Sequence, residues 1–191
     1  LTPYIAEFLL RSREAGFAVP EAMLQKTLER LNEDLLTGGV PFYSYDQPDH
    51  LRFAYMAHAG YVLSQVNRAP LGTLRTLYDN QRNQSLTGLP LLHLGLALGK
   101  QGDQTRGDKA IAEALAKTDR RPRWLGDYGS PLRDEALMLA LLRENDRSNP
   151  QQDARLLALS RDLQARTRQA WYWLSTQEQI ALARLGRALT L

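Results

Sequence analysis

The sequence contains no cysteine. That excludes disulfides, a cysteine nucleophile and thiolate metal sites within these residues. It also suits an oxidising compartment, where a free thiol is a liability. Histidine is scarce: His50, His58 and His93 are the only three. His50 and His58 do not have the i, i+4 spacing of a helical metal pair, and no His-Glu-x-x-His occurs. All three are therefore expected to be core or surface histidines, with no metal site. No apolar run approaches the roughly 20 residues of a membrane span; "LTGLPLLHLGLALG" (86–99) is too short and holds a proline. There is no phosphate loop, no Gly-x-Gly-x-x-Gly and no Gly-x-Ser-x-Gly elbow. The charge excess is small, +3. Basic clusters such as "DRRPRW" (119–124) and "RTRQ" (166–169) are interspersed with acids, which reads as solvated helix faces rather than a nucleic-acid surface. The opening "LTPYIAEFLL" has neither an initiator Met nor a signal peptide. An excised piece of a longer polypeptide is expected, with any targeting information outside it.

What is present reads as helix. With 191 residues the chain fits one domain, 1–191, large enough to bury a core. Thr2-Pro3, Ser130-Pro131 and Asn149-Pro150 each set a capping residue before a proline at a first helical position. Gly16, Gly38 and Gly102 follow periodic segments as C-terminal caps. About nine helices are predicted, near 3–15, 20–36, 50–67, 71–81, 88–101, 104–117, 131–144, 150–166 and 176–189. No run alternates as a strand does, so the fold class is all-α.

The helices differ in character. "LRFAYMAHAGYVLSQV" (51–66) has Arg52 as its only charge, and "LPLLHLGLALG" (89–99) has none. The second helix instead carries Leu24, Leu28, Leu31 and Leu35 on one stripe, with charges elsewhere. Helices apolar all round are buried, whereas those with one stripe lie at a surface. Inner and outer helices therefore alternate, as in an open α-solenoid or an α/α toroid. A solenoid repeats at roughly 34 to 47 residues. No such period is visible, which favours a toroid, here a partial one.

Two loops, "FYSYDQPDH" (42–50) and "WLGDYGSPLRDE" (124–135), bring carboxylates beside aromatics. Asp46, Asp49 and Asp127 are the candidates for the paired carboxylates with which some toroids hydrolyse glycosides. The alternative functions are thus a carbohydrate-active toroid or a solenoid that binds proteins. Acids near turns and helix starts also arise for conformational reasons alone. No nucleophile–base pair is visible, so no catalytic residue is assigned and no cofactor is called for.

In "WYWLSTQEQIALARLGRAL" (171–189), Ser175 and Glu178 have the Ser-x-x-Glu spacing of a capping box, with Thr176 and Gln177 between them. Trp171, Tyr172 and Trp173 precede that helix start, and Trp124 and Tyr128 precede the one at Ser130. In a toroid such entries line the rim, where large rings seal helix ends or offer themselves to a neighbouring domain.

The Ser-Thr-Gln-acid segment at 175–178, the opening "LTPYIAEFLLRSREAGFAVPEAMLQKTLERL" (1–31) and "YGSPLRDEALMLALL" (128–142) together resemble the thioester domains of the alpha-2-macroglobulin and complement family, its bacterial members in particular. The resemblance implies an α/α toroid within a large multidomain protein that traps proteases broadly, as a host defence. In that family, bait cleavage exposes an internal Cys–Gln thioester, which a nucleophile on the protease then attacks. The implied partners are target proteases, met through the full-length protein, and other domains of the same polypeptide. Bacterial members are typically periplasmic, often lipoproteins tied to the inner membrane by an anchor outside a segment such as this. The Cys-Leu-Glu-Gln type of motif is absent here. In the family it lies upstream of where Leu1 aligns, which implies that these residues are the later and larger part of the domain. An interrupted toroid would expose apolar faces at the break, carried by Ile5, Phe8 and Leu9 and by Leu182, Leu185 and Leu189. The isolated chain is therefore expected to self-associate, or to pair its two terminal helices.

Overall fold

The computed structural model describes residues 1–43, 45–122, 125–147, 150–169 and 173–190, with Pro150 and Thr167 described in their backbone alone. Among them are nine α-helices, a single short 3₁₀ turn and no strand. The helices are α1 (Thr2–Glu14), α2 (Glu21–Leu36), α3 (Pro48–Gln65), α4 (Leu71–Gln81), α5 (Gly88–Lys100), α6 (Gln104–Ala116), α7 (Pro131–Glu144), α8 (Pro150–Thr167) and α9 (Thr176–Leu189). They pack as two compact units, Leu1–Pro122 and Arg123–Leu191.

Local chemistry sets several helix ends. Ser130 caps α7, its hydroxyl accepting from the Arg133 N–H, and Pro131 follows it in the first turn. Asp103 caps α6 in the same way through the Arg106 N–H. Gly102 has φ +94, a left-handed conformation that suits glycine; its N–H returns to the Gly99 carbonyl and that of Asp103 to Leu98, closing the end of α5. Thr2 departs from expectation. The helix begins at Thr2 itself, after Leu1, with no side-chain cap. Thr2 is thus the first helical residue rather than the cap, and Pro3 follows it within the first turn, where its missing N–H costs nothing. Asn149 lies outside the described residues.

In the first unit α3 and α5 form the interior. Every residue of α5 from Gly88 to Gly99 is buried. α2 covers α3 with its leucine stripe, Leu24, Leu28, Leu31 and Leu35, all at 1% exposure or less. The α5–α6 crossing is unusually close. A Cβ on Gly95 would lie 2.9 Å from the Gly107 carbonyl oxygen, and one on Gly107 would lie 2.9 Å from both the Gly95 oxygen and the Gly99 nitrogen. Backbones meet there because no side chain intervenes. The Asp103 carboxylate, capping α6, also accepts from Arg75 Nε on α4 at 2.6 Å and from Arg106 Nη1 at 3.1 Å. One cap thereby ties three elements.

The second unit packs α9 along α7 around Leu132, Ala136, Leu139, Ala140, Ala181, Leu185 and Ala188, with Leu159 of α8 against them. The two helices run parallel. Glu178, in the first turn of α9, meets Ser130 at the start of α7, and Arg184 further along α9 reaches Glu144 at the end of α7 at 2.8 Å. On α1, Leu9 is buried at 8% exposure while Ile5 and Phe8 stand 38% and 62% exposed. On α9, Leu185 is buried and Leu189 is 39% exposed. Each terminal helix thus divides its apolar residues between its own unit and solvent.

Candidate functional site

The segments that carry the sequence signal at 128–142 and 175–178 meet at one point, the paired starts of α7 and α9. Ser175 Oγ accepts from the Glu178 N–H at 3.2 Å, and Glu178 Oε2 accepts from the Ser175 N–H at 2.8 Å, a complete capping box. Thr176 and Gln177 form the first turn between them. The second carboxylate oxygen does something further. Glu178 Oε1 accepts from Ser130 Oγ at 2.7 Å, across 48 residues of sequence. One carboxylate therefore joins both helix starts.

Burial pushes the Glu178 carboxyl up, but donation from the Ser130 hydroxyl and from the Ser175 backbone and side chain, with the charge of Arg166, outweighs it. The group is held below its ordinary range, as an anion. Such a carboxylate is a poor general base. The Ser130 hydroxyl meanwhile accepts from the Arg133 N–H at 3.1 Å. The Ser–Glu contact is a tie between helices, not an activated nucleophile.

Arg133 organises the preceding loop. Its Nη1 donates to the Asp127 carbonyl at 3.0 Å and its Nη2 to Asp127 Oδ2 at 3.2 Å, while Nε donates to the buried Asp134 at 2.7 Å. Asp127 Oδ1 accepts from the Gly129 N–H at 2.9 Å. Between them Tyr128 adopts φ +54 and is 86% exposed. Trp173, two residues before the other cap, is 85% exposed. Neither ring seals a helix end; both face solvent. Trp124, Trp171 and Tyr172 lie outside the described residues.

Most of the remaining candidates have structural occupations. Asp127 is engaged as described, Asp49 pairs with Arg52 at 3.0 Å in the first turn of α3, and Asp46 is exposed on the preceding loop. Asp46 and Asp49 belong to the first unit and Asp127 to the second. His50 is buried and accepts the Leu86 N–H on Nδ1 at 3.1 Å. His58 Nε2 lies 2.8 Å from Glu7 Oε2, and its ring stacks on that of His93 with centroids 4.5 Å apart. Among the described residues no three His, Cys, Asp or Glu side chains are grouped to hold a metal. Sequence reading missed both the Ser130–Glu178 tie and the histidine stack. Each joins residues that no local pattern relates.

No protein-family model matches the chain. It is 60% identical over 190 residues, 99% of its own length, to alpha-2-macroglobulin of Xylella fastidiosa, of which it spans 12%. A crystal structure of Salmonella alpha-2-macroglobulin reacted with methylamine superposes on 98% of the chain with a TM-score of 0.90 at 40% identity, again over 12% of that protein. Trypsin-activated alpha-2-macroglobulin from Escherichia coli gives 0.86 at 42% identity, covering 97% of this chain and 12% of that one. At such identity both sequence and helical fold agree from end to end. The chain belongs to the alpha-2-macroglobulin family, as the counterpart of one segment of its bacterial members.

Proposed function

We propose that these residues are the later part of the thioester-bearing, toroidal domain of a bacterial protease-trapping protein, and that they form one domain with what adjoins them in that protein. The observation that carries this reading is the 60% identity across 99% of the chain to a protein of which it spans 12%. One relative has reacted with methylamine and another is trypsin-activated, which supports nucleophile capture and proteases as partners of the whole protein. This chain has no cysteine, so the thiol of the thioester comes from elsewhere in the polypeptide. Its own part is scaffolding rather than catalysis: it holds the helix starts in register and presents exposed rings to adjoining domains. A periplasmic location with an inner-membrane lipid anchor completes the proposal.

The test uses the full-length protein. Incubation with trypsin should give a covalent conjugate on denaturing gels, and prior methylamine treatment should abolish it. A full-length protein without an upstream Cys-x-Glu-Gln that neither forms a conjugate nor slows trypsin would overturn the reading. The isolated chain should gain no mass from methylamine or trypsin.

A further inference from the structure

Two side chains at the joined starts of α7 and α9 lend little surface to the unit that holds them. Tyr128 is 86% exposed and Trp173 is 85% exposed. Tyr128 stands two residues before the cap of α7, and Trp173 two residues before the cap of α9. Those caps share one carboxylate: Glu178 accepts from the Ser130 hydroxyl at 2.7 Å and from the Ser175 N–H at 2.8 Å. Two residues of chain span at most about 7 Å. Both rings therefore leave the backbone beside one joint.

Single exposed apolar residues are ordinary; this pair is set apart by how it is held. Tyr128 has φ +54, a conformation unfavourable for a bulky side chain that glycine or asparagine adopts more readily. Three hydrogen bonds keep it there. Arg133 grips Asp127 at its carbonyl, 3.0 Å, and at its carboxylate, 3.2 Å, while the Gly129 N–H donates to Asp127 Oδ1 at 2.9 Å. Trp173 is braced from its C-terminal side. Leu174 packs against the core of the unit, and its carbonyl accepts from Gln179 Nε2 at 2.9 Å. With the backbone fixed and the rings bare, docking them orders little that is not already ordered. Tyrosine and tryptophan are also the side chains that most often dominate an interface.

We propose that Tyr128 and Trp173 form a two-ring anchor that docks on an apolar face of another domain of the same polypeptide. This anchor rests on the reading that these residues belong to a larger protein, and it names the contact. The chain spans 12% of its 60% identical relative, so most of the surface of such a polypeptide lies outside these residues. The chemistry of the partner face follows from the charges beneath the rings, which are already engaged. Arg133 pairs with Asp127 and Asp134, and Glu178 takes its bonds from Ser130 and Ser175. No opposite charge is called for. The partner face is apolar, with acceptors at its edge for the phenol and indole donors. Docking offsets the strain stored at Tyr128.

The test is hydroxyl-radical footprinting read residue by residue by mass spectrometry, on the 191-residue chain and on the full-length protein. In the dilute 191-residue chain both rings should oxidise rapidly. In the full-length protein each should react about fivefold more slowly, at any protein concentration. That protection should persist between about 0.05 and 0.5 M salt, because an apolar contact is not screened. Tyr128→Asn should raise Trp173 oxidation about threefold in the full-length protein and leave it unchanged in the shorter chain. The wild-type comparison decides whether or not the variant folds. Rings equally reactive in both proteins, protection that salt removes, or protection that grows with concentration as between two copies would each overturn the proposal. Protease trapping is read separately. Conjugates formed by a full-length protein with reactive rings would sink the anchor alone, whereas protected rings without conjugates would leave it standing and sink the protease reading.

Discussion

Replacing Glu178 by alanine removes two hydrogen bonds at once, those from the Ser130 hydroxyl at 2.7 Å and the Ser175 N–H at 2.8 Å. Bonds to a charged acceptor contribute about 1.5–3 kcal/mol each. The Ser175 side of the site is exposed, and water replaces much of that bond. The loss for Glu178→Ala is therefore about 2–3 kcal/mol, and for Glu178→Gln, which retains one acceptor oxygen, about 1 kcal/mol. Ser130→Ala costs about 2–3 kcal/mol, about 1 as a lost cap and about 1–2 as the lost bond to Glu178. The double variant separates the roles. If the tie exists, Ser130→Ala and Glu178→Ala are less than additive by about 1–2 kcal/mol, read from urea unfolding followed by circular dichroism. The pH dependence has a definite sign. Because the folded carboxyl is held below its ordinary value, its contribution is complete above the unfolded glutamate value of about 4.3. It is lost as pH falls through the lower folded value. Glu178→Gln should therefore flatten the acid limb of the stability curve. Additivity within about 0.3 kcal/mol would refute the link between the two helix starts.

The close crossing of α5 and α6 makes a paired prediction. Gly95→Ala drives a methyl into the Gly107 backbone and should cost about 2 kcal/mol, whereas Gly186→Ala, with nothing within 4 Å of the new carbon, should stabilise by about 0.5–1 kcal/mol; thermal unfolding of both variants decides. Tyr128→Asn, at φ +54 on a ring 86% exposed, should raise stability by about 0.5–1 kcal/mol in chemical unfolding. The stripe of Tyr4, Ile5 and Phe8 on α1, with Leu1 just before it, is open to solvent, and it should give concentration-dependent association in light scattering that Phe8→Glu reduces.

Helix starts were legible in the sequence because their causes are local. The capping box needs only Ser175 and Glu178 three positions apart, and Ser130-Pro131 needs only its own turn. Thr2 shows the limit of that logic: the same Thr-Pro signature sits one residue inside α1, with no side-chain cap before it. The apolar character of 89–99 foretold the burial of α5, since a helix with no charge has no face to give to water. It did not foretell how close α6 would come. That depended on Gly107 of one helix falling opposite Gly95 and Gly99 of the other, a register that neither helix specifies alone.

The candidate carboxylates mark the same boundary from the side of function. In the sequence Asp127 and Glu178 are both acids beside aromatics near a helix start, and nothing local distinguishes a catalytic group from a structural one. What distinguishes them is the count of donors. The Asp127 carboxylate accepts from the Gly129 N–H and from Arg133 Nη2, and that of Glu178 from Ser130 and Ser175. For Glu178 those donors stabilise the anion, and that stabilisation opposes taking up the proton that general catalysis would ask of it. The donors that matter most lie far along the chain or arrive through a loop conformation. The sequence therefore exposes the acids but conceals their partners, and only the partners decide that this end of the unit is a joint rather than a reaction site.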